Sequence, residues 1–267
     1  MRRKLGQHRI SQRRACKVLG QSRGTQRYRV KVKNDEPAIV KRMHEFVRRH
    51  PRRGYRFIHA NLCREGFRVN RKRIYRLWKK EGFKVPVKQH KKRSLGLDAH
   101  GIMRHRAQHI NDVWCWDFIH DRDEQGRMLK WLIIEDEFTR ESLALEVERS
   151  MKACDVIDVL TQLMVIRGVP CHIRSDNGPE FISQELNAWS EKQGIQLEFI
   201  QPGNPQQNAY VERYNRTVRH EWLDLHIFET IDQVQQIATE WLWSYNNERP
   251  NMGNGGMTPA QKLRMAA

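Results

Sequence analysis

Acidic side chains are nearly missing from the first hundred residues, which carry 32 Lys and Arg against 6 Asp and Glu, a net +26. The rest of the 267-residue chain reverses the balance, with 17 basic and 25 acidic residues, net −8, so the whole stands at +18. A front this cationic excludes a cationic partner and points to a polyanion, for which nucleic acid is the commonest choice. A ribosome-associated or simply basic domain is the plainer alternative. No apolar run approaches the roughly 18 residues of a membrane span, and the start has no signal-peptide pattern. No heptad repeat is present, which argues against a coiled coil. None of the five cysteines, Cys16, Cys63, Cys115, Cys154 and Cys171, stands in a CxxC pair. Neither a disulfide frame nor a zinc site is expected, and the thiols are expected to be reduced and buried.

What is present falls into four stretches. Residues 1–33 are basic. Ser11 is placed to cap a helix over 12–19, Gly20 turns the chain, and Ser22 is placed to cap a second short helix bearing Arg23, Gln26, Arg27 and Arg29. Two readings stand. One is a helix-turn-helix with Arg23 and Arg27 on a recognition helix in the major groove. The other is a basic arm that only neutralises phosphates. Residues 37–83 read as a basic helical DNA-binding domain. Its helices are expected over 37–49, 56–64 and 71–81, with Ile39, Met43, Ile58, Leu62, Ile74, Leu77 and Trp78 inward. The last carries Arg71, Lys72, Arg73, Arg76, Lys79 and Lys80 outward, all one sign, and Lys72, Arg73 and Arg76 are expected to meet phosphates. Residues 84–107 read as a basic linker, with the run Lys88-Gln89-His90-Lys91-Lys92-Arg93.

From residue 108 the grammar changes. Strands are expected over 113–119, 128–134 and 143–147, joined by short turns as an antiparallel meander. A helix over 151–167 follows, then a strand at 171–173, a helix over 183–192 and a strand over 197–200. Two helices remain, one around Glu212 and one over 231–245. Three antiparallel strands followed by alternating helices and strands predict an α/β fold, a ribonuclease H-like mixed five-stranded sheet flanked by helices, over residues 108–267.

Three acids in this region invite chemistry. Asp117 sits mid-strand among aromatic and apolar residues, where an unpaired carboxylate is costly to bury. Asp176 ends a strand at an Asn-Gly turn, at the edge where α/β sheets place ligands. Glu212 lies on a helix among Arg213, Arg216 and Arg219. Asp117 and Asp176 have 58 residues between them, and Asp176 and Glu212 have 35. In-line attack on a phosphodiester builds charge on the entering and leaving oxygens, which two Mg²⁺ or Mn²⁺ ions held by carboxylates can stabilise. The trio therefore reads as catalytic and metal-binding. Asp121, Asp123, Glu135, Asp136 and Glu180 read as structural or solvated.

The motifs Trp116-Asp117, Ser175-Asp176-Asn177-Gly178-Pro179-Glu180-Phe181, Pro202-Gly203-Asn204-Pro205-Gln206-Gln207-Asn208-Ala209-Tyr210-Val211-Glu212-Arg213-Tyr214-Asn215-Arg216 and Tyr245-Asn246-Asn247-Glu248-Arg249-Pro250 resemble the OrfB transposases of the insertion-sequence-three family. These belong to the retroviral-integrase superfamily with its D,D(35)E signature. The resemblance implies a DNA transposase that cleaves transposon ends and transfers the freed 3′-OH to DNA, using Mg²⁺ or Mn²⁺, two ions in all. It implies double-stranded DNA as partner at transposon ends and target, a homo-oligomer on that DNA, and joint action or fusion with an upstream-frame product. It also implies a bacterial cytoplasmic, nucleoid-associated location, and gives Arg219 a contact with end DNA beside Arg216 and Arg213. Two residues depart from the family pattern. Asn204 replaces a usual Lys, and Asn254 stands where an apolar residue is more usual, in a tail expected to be peripheral. The His/Cys zinc pattern at the front of retroviral integrases is missing.

Overall fold

The computed structural model describes residues 10–29, 34–86, 105–176, 178, 182–200 and 208–266. Expectations for 87–104, for Asn177, Pro179, Glu180 and Phe181, and for 201–207 with Asn204 fall outside these. Residues 1–42 and 43–267 form two compact units.

In the first unit, α1 (Gln12–Val18) and α2 (Arg23–Arg27) begin where the serines are placed to cap them. Ser11 Oγ accepts from Arg14 N at 3.3 Å and Ser22 Oγ from Gly24 N at 3.2 Å. Gly20 between them has φ +62°, a left-handed value that suits glycine. Arg27 reaches back from Nε to Gln12 Oε1 at 3.2 Å. Cys16 is buried, while Arg23 and Arg27 are exposed. α3 (Glu36–Arg49) runs across the division and buries Ile39 and Met43.

The second unit opens with two more helices, α4 (Tyr55–Arg64) and α5 (Arg71–Lys80), the latter capped by Asn70 Oδ1 accepting from Lys72 N at 2.8 Å. Ile58, Leu62, Ile74, Leu77 and Trp78 point inward, at the predicted spacing. The sheet follows, built from β1 (Val113–Arg122), β2 (Met128–Asp136), β3 (Ser142–Glu148), β4 (His172–Ser175) and β5 (Gln196–Phe199) in the order β3-β2-β1-β4-β5. β1, β2 and β3 are antiparallel, while β4 and β5 run parallel to β1. The sheet is the mixed five-stranded one expected.

Alternation along β1 divides the core in two. Trp114 and Trp116 join Leu132, Ile134, Val156 and Leu160 on one face, under α6 (Ala153–Arg167) and α7 (Gln184–Gln193). Cys115 and Ile119 join Trp131, Ile133, Val211, Val218 and Val234 on the other, under α8 (Ala209–Glu221) and α9 (Ile231–Asn247). Asp117 shares the parity of Cys115 and Ile119, so it faces α8.

Several details correct the expectation. β4 starts one residue later than expected and runs on through Arg174 and Ser175. Arg174 can be buried there because Glu137 and Glu198 both pair with its guanidinium. Only Cys16 and Cys115 of the five thiols are buried. Cys63, Cys154 and Cys171 lie on helix and turn surfaces, and all five are free. The tail is not peripheral. Beyond a 3-10 turn, α10 (Pro259–Ala266) packs against α9, and Asn254 is buried with its Nδ2 donating to Thr139 O at 2.7 Å. An amide serves there because the carbonyl it meets has to be satisfied, which an apolar side chain cannot do.

The helices at the front of this unit are fastened to the sheet's helices. Arg53 Nε bonds Glu221 Oε2 at 2.9 Å, and Arg249 bonds the same carboxylate at 2.8 and 2.6 Å. Arg52 Nη1 donates to His220 O at 2.6 Å, and Arg64 donates to Glu248 O at 2.7 Å and to Asn247 O at 3.2 Å.

Candidate active site

The parallel ladder aligns Val113 with His172, Trp114 with Ile173 and Cys115 with Arg174. Two residues further on come Asp117, within β1, and Asp176, one residue past the end of β4, so the register continued beyond the ladder puts both acids at one level. α8 crosses the face of β1 that bears Asp117. Val211, Tyr214 and Val218 form its buried side, and Glu212, Asn215 and Arg219, spaced three and four apart, form the stripe beside it. Each rung of the stripe that can reach β1 does so. Asn215 Nδ2 donates to Asp117 Oδ2 at 2.6 Å, and Arg219 Nη2 donates to His120 O at 2.8 Å. One turn before Glu212, the buried Asn208 donates from Nδ2 to Trp116 O at 3.4 Å. Glu212 sits in the first turn of α8, where the helix dipole favours a negative charge.

The three acids feel one another's charge. Asp117 is half-buried, and its carboxyl is raised to about 6, first by burial and then by the neighbouring charges of Asp176 and Glu212. Two hydrogen bonds oppose the rise, from Phe118 N to Oδ1 at 2.8 Å and from Asn215. Asp176 is held by Gly178 N donating to Oδ1 at 3.0 Å, an Asx turn.

The other acids of this region are structural. Asp136 accepts from Thr139 N at 2.7 Å and from Asn111 N at 2.9 Å. Asp123 pairs with Arg127 and Arg149, each at 2.8 Å. Glu135 is fully buried beside Cys115, and burial pushes its carboxyl up to about 8.

The basic residues divide. Arg213 and Arg216 are exposed on α8, away from its buried side. Arg219 is half-exposed and turned toward β1, with Nη1 3.8 Å from Asp121. On α5, Lys72 and Arg76 are exposed and Arg73 is half-buried. Asn215 and Asn208 were not singled out from sequence. Their signal is position alone, with Asn215 three residues after Glu212 and Asn208 four before it, on the helix face that meets the strand.

Matches of three kinds bear on this arrangement. Two "Integrase core domain" models match residues 107–205 and 193–259, and an "HTH-like domain" model matches residues 33–92. The chain is 35% identical over 257 residues to the insertion element IS407 uncharacterized 31.7 kDa protein of Burkholderia multivorans, covering 94% of this chain and 90% of that one. It is 36% identical over 261 residues to the insertion element IS476 uncharacterized 39.2 kDa protein of Xanthomonas euvesicatoria, covering 98% of this chain and 75% of that one. The fold is similar to a chain of the simian T-cell lymphotropic virus intasome, solved in complex with a PP2A regulatory subunit. The TM-score is 0.52 at 19% identity, over 84% of this chain and 74% of that one.

Proposed function

The chain belongs to the OrfB-type transposases of the insertion-sequence-three family, and from that premise we propose that Asp117, Asp176 and Glu212 are its catalytic acids. It is a DDE-type polynucleotidyl transferase acting in DNA transposition and integration.

The observation that carries the assignment is the convergence of Asp117 on β1, Asp176 just past β4 and Glu212 in the first turn of α8; burial first, and then the charges of Asp176 and Glu212, raise the Asp117 carboxyl. Like charges brought this close are costly unless cations sit among them. The three donors are all carboxylates, the oxygen ligands that Mg²⁺ and Mn²⁺ prefer. The residues present therefore fit divalent ions, and we assign two because in-line displacement builds charge on two oxygens. Such ions, when bound, stabilise charge on the attacking and leaving oxygens of a phosphodiester.

The chain's own residues do the rest. Phe118 N and the Asn215 amide hold both oxygens of Asp117 in one orientation. The turn at Gly178 does the same for Asp176. The packed face of α8 fixes the position of Glu212, so the site is assembled before DNA arrives. Water first attacks at a transposon end. The freed 3′-OH then attacks a second phosphodiester, with no covalent protein–DNA intermediate.

Double-stranded DNA at the ends and target is the substrate. Arg213, Arg216 and Arg219 are assigned to DNA near the acids, Lys72, Arg73 and Arg76 to phosphates, and Arg23 and Arg27 to the end sequence. We assign residues 1–33 to a helix-turn-helix-like segment, 37–83 to a helical DNA-binding domain, 84–107 to a linker and 108–267 to the catalytic core. Action as a homo-oligomer on DNA, with or fused to an upstream-frame product, in the bacterial cytoplasm, completes the reading. Among the described residues no helix is long and apolar enough to cross a membrane.

The test is incubation of the chain with labelled candidate end DNA and Mg²⁺, scored for nicking and for joining. Joining from a pre-cut 3′-OH end is expected. Nicking without joining on any end tried would replace strand transfer with a nuclease activity.

A further inference from the structure

At the opposite end of the same two strands lies a second cluster of metal-ligand side chains. Asp112 immediately precedes β1, and Cys171 and His172 stand at the start of β4. The segment before β1 brings in His105 and His109. His105 Nε2 lies 3.1 Å from Asp112 Oδ1, and His172 Nδ1 lies 3.4 Å from the same oxygen and 3.2 Å from Asp112 O. The two imidazole rings are 4.6 Å apart. The ligand atoms of His105, Asp112 and His172 all fall within 4.8 Å of one another, and so do those of His109, Asp112 and Cys171.

We propose that His105, Asp112 and His172 bind a divalent transition-metal ion of the zinc class, at a site separate from the catalytic acids. Two donors each 2.0–2.2 Å from a tetrahedral ion lie about 3.3–3.6 Å apart, close to the 3.1 and 3.4 Å that Asp112 Oδ1 already keeps to the two histidines. Two imidazoles and a carboxylate are ligands that zinc accepts, with one position left for water. Asp112 is buried, and its free oxygen is oriented by Gln108 N at 2.7 Å, the kind of outer contact that fixes a metal ligand. Its carboxyl lies below the usual range. Burial works against the charge, but the Gln108 N–H and the neighbouring histidines outweigh it. Binding needs both imidazoles neutral, and any protons they hold pass to solvent.

Asp112 precedes Asp117 by five positions and His172 precedes Asp176 by four, which at about 3.3 Å per residue puts the two sites roughly 13–16 Å apart. An ion here would staple the segment entering the core to β4 and hold the β1–β4 register that aligns the acids. The sequence hides this site because Asp112 and His172 are brought together only by the parallel ladder.

The test uses the full chain, stripped by chelator and kept in excess Mg²⁺ so that the carboxylate trio is occupied. Zn²⁺ titrated by calorimetry should bind at one ion per chain, and equally in the triple variant D117N/D176N/E212Q. His105→Ala and His172→Ala should each weaken Zn²⁺ binding at least tenfold, while His226→Ala should not. The His105 side chain is 37% exposed, so His105→Ala is expected to keep the wild-type circular dichroism, which checks that lost binding is not lost folding. Zn²⁺ should raise the melting temperature of the wild type and not of His105→Ala. No stoichiometric binding, or binding undiminished in both histidine variants, overturns the proposal. So does a thiolate charge-transfer band with Co²⁺ that disappears in Cys171→Ser, because the ion would then sit in the His109–Cys171 trio.

Discussion

Asn215 Nδ2 and Asp117 Oδ2 stand 2.6 Å apart, a hydrogen bond that ties α8 to the middle of β1. The amide holds one carboxylate oxygen while Phe118 N holds the other, so the side chain cannot swing away from Asp176 and Glu212. Replacing Asn215 by Ala should cut the rate of end cleavage about 10–100-fold, the usual cost of losing an outer contact to a metal ligand. DNA affinity should be unchanged. Single-turnover cleavage and a binding isotherm on the same duplex separate the two, and wild-type cleavage by Asn215→Ala would reduce the contact to packing.

Asp117→Asn, Asp176→Asn and Glu212→Gln should each abolish cleavage and joining while leaving end binding intact. Because each breaks the same site, the double variants should be no worse than the singles. Full cleavage by Asp176→Asn would remove that residue from the site.

With Asp117 proposed as a metal ligand, metal and proton should compete for it. Its carboxyl is raised to about 6, so below that pH the metal-free site holds a proton there and the ion has to displace it. Mn²⁺ affinity should be level above about pH 6 and fall with decreasing pH below it, and Asp117→Asn should abolish that dependence. Mg²⁺ and Mn²⁺ should support chemistry, Ca²⁺ only assembly on DNA, and EDTA should stop cleavage. Activity that persists in EDTA would refute the metal assignment.

Glu221 closes a buried ion cluster with Arg53 and Arg249. Burial alone would raise its carboxyl, but hydrogen bonds and charge from the two guanidiniums win and hold it at about 2. Since the folded value lies below the unfolded one, the stabilisation is present above about pH 4.5 and is lost as pH falls toward 2. Glu221→Gln leaves two buried cations uncompensated and should cost about 3–5 kcal/mol at neutral pH. Urea melts of both proteins at pH 7 and pH 3 should show that difference shrinking in acid.

Phosphate contacts should appear in the salt dependence. Each neutralised phosphate contributes about −0.9 to the slope of log K against log salt. Charge reversal of Lys72 and Arg76, both exposed on α5, should make the slope shallower by about two such units on end and random DNA alike. Arg23→Ala or Arg27→Ala should instead narrow the preference for end over random DNA. An Arg23 variant that loses affinity equally for both would leave residues 11–29 as a basic arm. Anisotropy titrations over a salt series measure all of these.

Local pattern sufficed for much of this. The serine caps of α1 and α2, the inward faces of α4 and α5, the meander of β1 to β3 and the apolar spacing of α8 and α9 depend on neighbours a few residues away, and period and capping chemistry expose them. The order and spacing of the three acids were legible for the same reason, because each sits on an element with its own local signal.

The tertiary structure decided what depends on residues far apart in the chain. Tyr245-Asn246-Asn247-Glu248-Arg249-Pro250 was visible only as a motif. Folded, Asn246 exchanges hydrogen bonds with Ser142 at 2.9 and 2.8 Å, and Arg249 shares Glu221 with Arg53. The basic turn at Arg52 and Arg53 is spent on holding its helices against α8. Asn254 is buried because a carbonyl 115 residues away needs a donor, and Cys115 is buried because it lies on a strand covered on both faces, whereas Cys63, Cys154 and Cys171 lie on helix and turn surfaces. His172 carries no local mark, and Asn215 only its place three residues after Glu212. Their roles arise when the parallel pairing of β1 with β4, and the packing of α8 across β1, bring charges close enough to act on one another.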